Sequence, residues 1–350
     1  MSRGKILVTG GLGFIGSHTV VELHKAGYDV VIVDNLDNSR PQVAEAIHLT
    51  SGQRAAFYPC DIRDRAAFSN VLAEHPDIKG IIHFAAYKAV GESVDKPLKY
   101  YDNNINGLVE LLKQMNEHGI RNMLFSSSCT VYGQPEKLPI SENTPLQPAE
   151  SPYGNTKKIG EDILRDATFT GSIRGVALRY FNPVGAHEKG LIGELPIGVP
   201  QNLVPFVTQT AAGLRDQLRV FGNDYPTEDG TAIRDYIHVV DLAKVHVKAM
   251  ERMLDGEGPS YDIFNVGTGR GHSVLEVIQA FERVSGKSLP YAFADRRSGD
   301  VVEVYADATK AERELQWKAE KTIDDMMRDA WTFQQHILNK THILNRNNNV

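Results

Sequence analysis

The first sixteen residues limit most strongly how this chain can fold. Lys5–Thr9 form an apolar run typical of a buried parallel strand, and Gly10-Gly11-Leu12-Gly13-Phe14-Ile15-Gly16 follows directly. A helical pattern then runs from residue 17 to about 26. Glycines at Gly10, Gly13 and Gly16 allow a tight turn and a close approach of backbone to a pyrophosphate, which the helix N-terminus attracts through its free N–H groups and partial positive charge. The pattern therefore predicts a dinucleotide-binding strand–turn–helix unit.

The next strand indicates which dinucleotide this unit binds. A second apolar, β-branched run covers residues 28–33, and Asp34 stands at its end, at about the spacing expected of a ribose-binding acid. A carboxylate there would repel a 2′-phosphate, and the one nearby basic residue, Arg40, lies well past the strand end. We therefore expect NAD rather than NADP.

Apolar β-rich runs alternate with helical patterns along the first half of the chain. We expect strands at 6–9, 30–33, 56–58, 80–84, 122–126 and 175–179, with helices between them, for example at 104–118 and 156–168. This alternation is typical of an α/β fold with a doubly wound parallel sheet, the Rossmann arrangement. We assign residues 1–180 to this NAD-binding domain.

The character of the chain changes from about residue 181. Glycine and proline are concentrated between residues 185 and 205, and short mixed elements follow. We expect a smaller C-terminal α/β substrate-binding domain over residues 181–335, and a polar, frayed tail over 336–350.

Tyr153 and Lys157 are separated by Gly-Asn-Thr, so on a helix they share one face and can point at the same substrate. A nearby cation favours the phenolate form of tyrosine. Unperturbed tyrosine titrates near pH ~10, so a phenol that titrates near 7 needs roughly 4 kcal/mol of differential stabilisation. One exposed lysine supplies less than that, so a second cation such as an oxidised nicotinamide ring is expected to complete the shift.

A hydroxyl-rich turn precedes this pair. The run Leu124-Phe125-Ser126-Ser127-Ser128-Cys129-Thr130 reads as a strand that ends in consecutive hydroxyl side chains. In an open parallel sheet the ligand crevice lies outside the carboxyl ends of the strands. We therefore expect Ser128 to lie in the same site as Tyr153.

With these features together, the chain resembles the extended short-chain dehydrogenase/reductases, and specifically the UDP-glucose 4-epimerase family, over roughly residues 5–333. Beyond the glycine turn and the Tyr153/Lys157 pair, several stretches carry the resemblance. They are Asp34-Asn35-Leu36, Cys60-Asp61-Ile62, Phe84-Ala85-Ala86-Tyr87-Lys88-Ala89-Val90, Tyr101-Asp102-Asn103-Asn104, Arg179-Tyr180-Phe181-Asn182-Pro183-Val184-Gly185-Ala186-His187, Phe221-Gly222-Asn223-Asp224-Tyr225-Pro226-Thr227 and Arg234-Asp235-Tyr236-Ile237-His238-Val239.

The resemblance implies an isomerase that interconverts UDP-galactose and UDP-glucose. Tyr153 as phenolate would remove the proton of the sugar 4-hydroxyl while the C4 hydride passes to NAD, and Ser128 would hydrogen-bond that oxygen. Lys157 would hold the nicotinamide ribose and lower the pKa of the tyrosine. The 4-ketopyranose would turn over in the site and take the hydride back on its opposite face. The resemblance also implies a homodimer, and the return of residues near 235–254 to the larger domain.

The resemblance further assigns binding residues. Those implied to hold NAD are Gly10, Gly13, Phe14, Ile15, Gly16, Asp34, Asn35, Asp61, Ile62, Phe84, Lys88, Asn103, Ser128, Tyr153, Lys157 and Phe181. Those implied to hold the UDP-hexose are Ser128, Tyr153, Asn182, Asn202, Phe221, Arg234, Arg297, Asp300 and Val304.

Val304 bears on which sugars are accepted. In the family, the residue four positions after the Asp of an Arg-x-Gly-Asp motif lies beside the sugar, and a tyrosine there restricts the site to unsubstituted hexoses. Here Arg297-Ser298-Gly299-Asp300 places Val304 at that position and Tyr305 one residue later. We expect UDP-GlcNAc and UDP-GalNAc to be accepted as well, unless a shift of one residue brings Tyr305 into the site.

Composition and charge are those expected of an ordinary soluble protein. The 350-residue chain has a net charge of −6, which provides no bulk attraction to nucleic acid. No apolar segment reaches the ~20 residues of a membrane span, and the first four residues lead straight into a strand, so we expect no signal peptide and a cytoplasmic protein. Cys60 and Cys129 offer no metal-ligand spacing, and no metal is expected.

Other functions remain open from the sequence. A sugar-nucleotide 4,6-dehydratase shares the tyrosine step but needs an Asp-Glu pair just after the serine, where this chain has Cys129-Thr130. A UDP-glucuronate epimerase or decarboxylase is an alternative within the class. A non-catalytic NAD-binding sensor is an alternative outside it, although such a protein would have no reason to keep Ser128, Tyr153 and Lys157 together.

Overall fold

The computed structural model describes residues 2–297 and 300–347. Parallel strands with intervening helices make up its first half, and shorter strands follow. The strands are β1 Lys5–Thr9, β2 Asp29–Val33, β3 Ala56–Tyr58, β4 Ile78–His83, β5 Asn122–Ser128, β6 Arg174–Tyr180, β7 Asn182–Val184, β8 Leu218–Phe221, β9 Ile233–His238, β10 Tyr261–Val266, β11 Gly271–Ser273, β12 Tyr291–Ala294 and β13 Glu303–Val304.

Helices connect most of these strands. They are α1 Phe14–Lys25, α2 Gln42–Ser51, α3 Arg65–Glu74, α4 Val90–Asp95, α5 Pro97–Tyr101, α6 Gly107–Glu117, α7 Pro152–Thr168, α8 Leu203–Ala211, α9 Val239–Leu254, α10 Val274–Ser285, α11 Thr309–Leu315 and α12 Ile323–Asn347. A π-helical turn, Asp102–Asn106, joins α5 to α6, and a 3₁₀ turn, Cys129–Tyr132, follows β5.

The main sheet confirms the doubly wound α/β prediction. Within the described residues its seven strands are ordered β10-β6-β5-β4-β1-β2-β3, and every neighbouring pair is parallel. Successive residues of β1 point to opposite faces of the sheet. Ile6 and Val8 pack with α1 and α9 on one face, and Leu7 packs with α3 and α6 on the other. Burial on both faces explains why these strands read as continuous apolar runs.

The strand order reverses between β1 and β4, and this reversal places the ligand crevice. In such sheets, ligands bind outside the carboxyl ends of strands at the point of reversal. Gly10 follows β1, Phe84 follows β4 and Ser128 ends β5. Residues from three separate sequence motifs therefore lie at one edge of the sheet.

The later chain is divided between two units in a way that the sequence did not fully reveal. Strands β7, β9, β11 and β13 form one small sheet and β8 pairs with β12, over a core shared with α8, α10 and α12. The returning segment is longer than the expected 235–254, because α9 packs on α1 and β10 then joins the main sheet beside β6. Residues Ala311, Leu315 and Trp317, on and just after α11, also enter the core of the main sheet.

The final helix crosses the expected boundary at 335. α12 begins at Ile323 and continues to Asn347, so the backbone of residues 336–347, expected to be frayed, is helical in the structure. The last three residues of the predicted tail lie outside the described part of the chain. Among the described helices, none combines the length and apolar character that a membrane span requires.

Candidate active site

The glycine turn after β1 is closely packed against the backbone around it. Gly10 has φ 68°, and a Cβ on it would lie 2.7 Å from the backbone nitrogen of Ala85. A Cβ on Gly16 would lie 2.3 Å from the carbonyl oxygen of Gly10. Gly13 precedes α1 and no side chain caps that helix, so its first N–H groups have no intrahelical partner. This cradle suits a pyrophosphate.

Asp34 fixes the shape of this turn. It follows β2 and its carboxylate accepts hydrogen bonds from the backbone N–H of Leu12 at 3.0 Å, the backbone N–H of Leu36 at 3.0 Å and the Ser39 hydroxyl at 2.7 Å. These bonds join the second strand to the glycine turn. The carboxylate is therefore held in a defined orientation beside the cradle.

Four further residues that the resemblance assigned to the cofactor are grouped around the ends of β2 and β3. The amide of Asn35 donates to Asp61 at 3.1 Å. Hydrogen bonds from Arg63 lower the pKa of Asp61 to about 2, so this carboxylate stays ionised near neutrality. Ile62 is buried against the end of the π-helical turn that contains Asn103.

Ser128 and Tyr153 meet at the end of β5. Ser128 is the last residue of the strand, and Tyr153 lies in the first turn of α7 with 7% of its surface exposed. Burial raises the pKa of Tyr153, while a hydrogen bond from Ser128 acts in the opposite direction. The two side chains therefore lie close together.

The role expected of Lys157 in lowering the pKa of Tyr153 is not visible in this geometry. Its ammonium Nζ donates to the carbonyl of Ser126 at 2.6 Å and lies 5.9 Å from the Tyr153 ring centroid. Burial, which disfavours charge, instead raises the pKa of the phenol and lowers that of Lys157 to about 8. The effect of desolvation therefore exceeds the effect of the lysine, so the expected downward shift needs a further positive charge.

The aromatic residues assigned to the cofactor follow neighbouring strands of the same edge. The backbone N–H of Phe84 donates to the Thr9 carbonyl at 3.0 Å, and its ring lies 4.8 Å from the ring of His246. Phe181 follows β6, is buried, and donates its backbone N–H to Val266 at 3.1 Å. Both are held by the main sheet beside the crevice.

Each basic residue assigned to the substrate contacts another residue assigned to the substrate. Arg234 on β9 forms an ion pair with Asp300. The guanidinium carbon of Arg297 lies 4.1 Å from the ring centroid of Phe221, a separation typical of a cation–π contact. Residues 298–299 of the Arg-x-Gly-Asp motif lie outside the described part of the chain.

Val304 and Tyr305 lie in different surroundings. Val304 is buried in a small cluster that includes Phe181 and Val131, so it faces the ends of β5 and β6. Tyr305 is turned towards β11, where its Cδ1 would be 3.6 Å from a Cβ placed on Gly271. Val304 is therefore the nearer of the two to Phe181, a residue assigned to the cofactor.

One carboxylate connects the two sets of binding residues. Glu194 accepts hydrogen bonds from Lys88 at 3.1 Å and from Asn202 at 2.6 Å. Asn202 immediately precedes α8, whereas Asn182 lies on β7, paired with β9. Lys88, assigned to the cofactor, and Asn202, assigned to the substrate, are thus linked through Glu194.

Known proteins similar to this chain fall into one family. A family model described as GDP-mannose 4,6 dehydratase matches residues 7–330. The UDP-glucose 4-epimerase of Bacillus subtilis (strain 168) is 53% identical over 335 residues, which cover 95% of this chain and 98% of that relative. The chain belongs to the UDP-glucose 4-epimerase family.

Solved structures of other family members have the same fold. An epimerase from Bifidobacterium longum, in complex with NAD⁺ and UDP, has a TM-score of 0.92 at 51% identity and covers 96% of this chain and 99% of its own. An epimerase from Stenotrophomonas maltophila, with bound NAD and formylated UDP-arabinopyranose, has a TM-score of 0.93 at 47% identity and covers 97% of this chain and all of its own.

Three acidic residues of this epimerase-family site escaped the sequence analysis. They are Glu194, Asp235, whose buried carboxylate accepts backbone N–H groups from Thr268, Gly269 and Ala306, and Glu161 on α7. Glu161 had a local signal, because it lies four residues after Lys157 on the same helical face. Glu194 had none, and Asp235 lay in a stretch that carries the family resemblance but was not singled out, because the partners of both are far away in sequence.

Within the described part of the chain, no group of three or more His, Cys, Asp or Glu side chains is arranged to hold a metal ion. The two cysteines are both free. Burial raises the pKa of the Cys129 thiol, which follows Ser128, to about 12. A protonated thiol at this position is a poor acid–base group near neutrality.

Proposed function

We propose that the protein interconverts UDP-galactose and UDP-glucose through oxidation and re-reduction at C4 of the sugar. The observation that carries the proposal is the placement of two buried residues, Ser128 at the end of β5 and Tyr153 in the first turn of α7, at the edge of the sheet that also holds the glycine cradle. This placement gives a proton acceptor and a hydroxyl partner beside a dinucleotide site. Membership of the epimerase family supports this choice of substrate.

NAD is the cofactor that fits the cradle. Gly10 and Gly16 let the turn pack tightly against backbone and so bring its N–H groups and the start of α1 within reach of a pyrophosphate, and Asp34 provides a ribose acceptor that disfavours a 2′-phosphate. When bound, NAD would accept the C4 hydride and return it, and its charged nicotinamide would add the positive charge that Tyr153 needs.

Side chains of the protein would transfer the proton and orient the sugar. Tyr153 would take the proton from the 4-hydroxyl, with Ser128 holding the same oxygen and Lys157 providing a buried positive charge nearby. Arg234 and Arg297 would bind the diphosphate and nucleoside, for which planar guanidinium groups are well suited. Rotation of the ketose within the site would expose its other face before reduction.

Two alternatives are less well supported. A dehydratase needs an acid and a base just after the serine, and the 3₁₀ turn there begins with Cys129 and Thr130. A non-catalytic NAD-binding sensor would not require Tyr153 to be buried against Ser128. Neither alternative yields the sugar with inverted configuration at C4.

The direct test is to incubate the purified protein with UDP-galactose and to separate the products. Formation of UDP-glucose without added cofactor, together with release of NAD from the acid-denatured protein, is the expected result. Loss of water from the sugar, with formation of a 4-keto-6-deoxy product, would indicate a dehydratase instead. Absence of any product, with NAD bound, would favour the sensor.

We further propose that UDP-GalNAc and UDP-GlcNAc are also interconverted. The support is the inward position of Val304, which leaves more room than a tyrosine for an N-acetyl group on the rotating ketose. The position of Tyr305 beside Gly271 favours this register over the one that would bring Tyr305 into the site.

Val304→Tyr tests this steric argument. We expect kcat/KM for UDP-GalNAc to fall at least about 10-fold more than kcat/KM for UDP-galactose, because added bulk in the site rejects the larger sugar. Tyr305→Phe, which changes the outward neighbour, is the matched control and should leave the ratio unchanged. Negligible wild-type activity on UDP-GalNAc would contradict the proposal.

The proposal includes a homodimer in the cytoplasm. The dimer rests on family resemblance, and the compartment is consistent with two unpaired cysteines, Cys60 and Cys129. Light scattering of the purified protein would test the dimer.

A further inference from the structure

A buried ion pair lies directly behind the catalytic serine turn. Glu161 on α7 and Arg179 on β6 have side chains that are 5% and 4% exposed. Nε and Nη2 of Arg179 both donate to the carboxylate, with Nε–Oε1 at 2.9 Å. This two-point contact has a fixed geometry.

The same carboxylate is bonded to the residue before Ser128. The Ser127 hydroxyl donates to Glu161 Oε1, so β5 is tied to α7 one residue before the catalytic serine. Nη1 of Arg179 donates to the Tyr132 hydroxyl at 2.9 Å, at the other end of the 3₁₀ turn. The ion pair therefore holds both ends of the turn that presents Ser128.

Glu161 also acts on Lys157, one helical turn earlier on the same face. Burial lowers the pKa of Lys157 to about 8, and the negative charge of Glu161 opposes that shift. The other titratable groups that face Lys157 are Tyr153 on its own helix and His83 on β4. Burial lowers the pKa of His83 to about 3, so His83 is neutral near pH 7. Arg179 is the nearby cation, and the charge that acts on the pKa of Lys157 is that of Glu161 rather than that of Arg179.

A buried ion pair is weak evidence for stability, because apolar residues of similar volume often stabilise a core as well. The connections of this pair to Ser127 and towards Lys157 are specific to the catalytic apparatus. We therefore expect the ion pair to affect the orientation of Ser128 and the charge near Lys157 more than the stability of the fold.

We infer that Glu161 is a positioning residue of the reaction: through Ser127 it fixes the orientation of Ser128, and it presents its carboxylate on the helical face that carries Lys157. Arg179 holds the carboxylate in place for both tasks. This inference deepens the proposed function and rests on it. Glu161 itself touches neither substrate nor cofactor in this role.

Ser127→Ala isolates the orienting contact. It removes one hydrogen bond while Glu161 keeps its ion pair with Arg179, so no buried charge is left unpaired. We expect kcat for UDP-galactose to fall about 10-fold with KM little changed, because small displacements of a catalytic group reduce turnover more than binding. The pH profile of kcat should keep its wild-type shape.

Glu161→Gln combined with Arg179→Met isolates the charge. Glutamine can still accept from Ser127, and the removal of both charges avoids an unpaired arginine. Without the carboxylate the pKa of Lys157 falls further, so Lys157 loses its proton at lower pH. We expect the alkaline limb of kcat to move down by about one pH unit.

A second readout needs no turnover. Unfolded lysine binds its proton up to a higher pH than buried Lys157, so the free energy of unfolding rises with pH once Lys157 titrates. In the double variant this rise should begin at lower pH than in wild type. Adding Lys157→Met should abolish the difference.

The matched control is Asp262→Asn, which breaks another buried ion pair, with Arg252 beneath β10. It should lower stability but move neither kcat nor the alkaline limb. A wild-type kcat in Ser127→Ala, or an unmoved alkaline limb in the double variant, would overturn the inference. If the wild-type protein fails to epimerise UDP-galactose, the proposed function fails, and the unfolding titration still tests the effect of Glu161 on Lys157.

Discussion

Tyr153 illustrates how burial and catalysis oppose each other in one side chain. Its phenol is enclosed by protein, which raises its pKa and favours the protonated form. Lys157, the residue expected to reverse this, is itself buried and bonded to a strand carbonyl. For Tyr153 to act as the proposed base, the site therefore needs an added positive charge, which bound NAD⁺ would supply.

Tyr153→Phe should remove the base and keep the ring. We expect kcat to fall by at least ~10²–10⁴, the range typical of the loss of a general base, with little change in affinity for the UDP-sugar. Tyr58→Phe, which removes a phenol bonded to Glu74 away from the crevice, serves as the control. Near-wild-type turnover of the Tyr153 variant would exclude tyrosine as the base.

Lys157→Met should stabilise the protein near neutrality while it inactivates the enzyme. The pKa of Lys157 is lowered from 10.5 to about 8 by burial, so the charged lysine is disfavoured in the folded state at pH 7. After allowance for the lost hydrogen bond to Ser126, we expect a gain of about 2 kcal/mol in the free energy of unfolding. Between pH 8 and 10.5 the unfolded wild type binds more protons than the folded form, so wild-type stability rises with pH and the gain shrinks.

Urea unfolding at pH 7 and at pH 9.5 would measure this change. A gain that is equal at both values would show that methionine acts through packing alone. A loss of stability at pH 7 would show that the bond from Lys157 to Ser126 outweighs the cost of desolvation.

The glycine turn and α1 act as a unit because their backbones touch. Gly10, Gly11 and Gly16 each leave no space for a Cβ, and Asp34 holds the turn from the neighbouring strand. Sequence spacing was sufficient to predict this unit, since all of its contacts are local or follow from the next parallel strand. By contrast, the π-helical turn at Asp102–Asn106 has no distinctive pattern, and the sequence predicted an ordinary helix there.

Gly16→Ala tests the close approach in the turn. Its Cβ would lie 2.3 Å from the Gly10 carbonyl oxygen, so the backbone must shift. We expect a loss of about 1–3 kcal/mol in the free energy of unfolding, typical of overpacking, and a reduced NAD content in the isolated protein. Gly91→Ala is the control, because a Cβ there meets nothing within 4 Å. Equal NAD content in the two variants would contradict the cradle geometry.

Several histidines in the interior of the protein are neutral near pH 7. Burial lowers the pKa of His18 and His83 to about 3 and that of His246 to about 4. Unfolding exposes these side chains, which then bind protons below their ordinary pKa of 6.5. Stability from each group is therefore complete above 6.5 and is lost as the pH falls, at ~1.4 kcal/mol per pH unit.

His246→Leu should reduce this acid sensitivity. We expect the slope of unfolding free energy against pH, measured between pH 4.5 and 6 by urea unfolding, to become shallower by ~1.4 kcal/mol per pH unit. The stability at pH 8 should change less than at pH 4.5. Parallel curves for variant and wild type would show that His246 does not contribute to acid unfolding.

The sequence alone determined what local physics controls. Apolar runs predicted six of the strands of the main sheet, glycine spacing predicted the cradle, and the Tyr153–Lys157 spacing predicted a shared helical face. It missed β10, because this strand joins the sheet after a long excursion through the smaller unit. Tertiary structure alone decided the outward turn of Tyr305 and the pairing of Glu161 with Ser127 and Arg179. Such contacts join residues that are far apart in the chain, and their cost or benefit depends on burial, which no local pattern specifies.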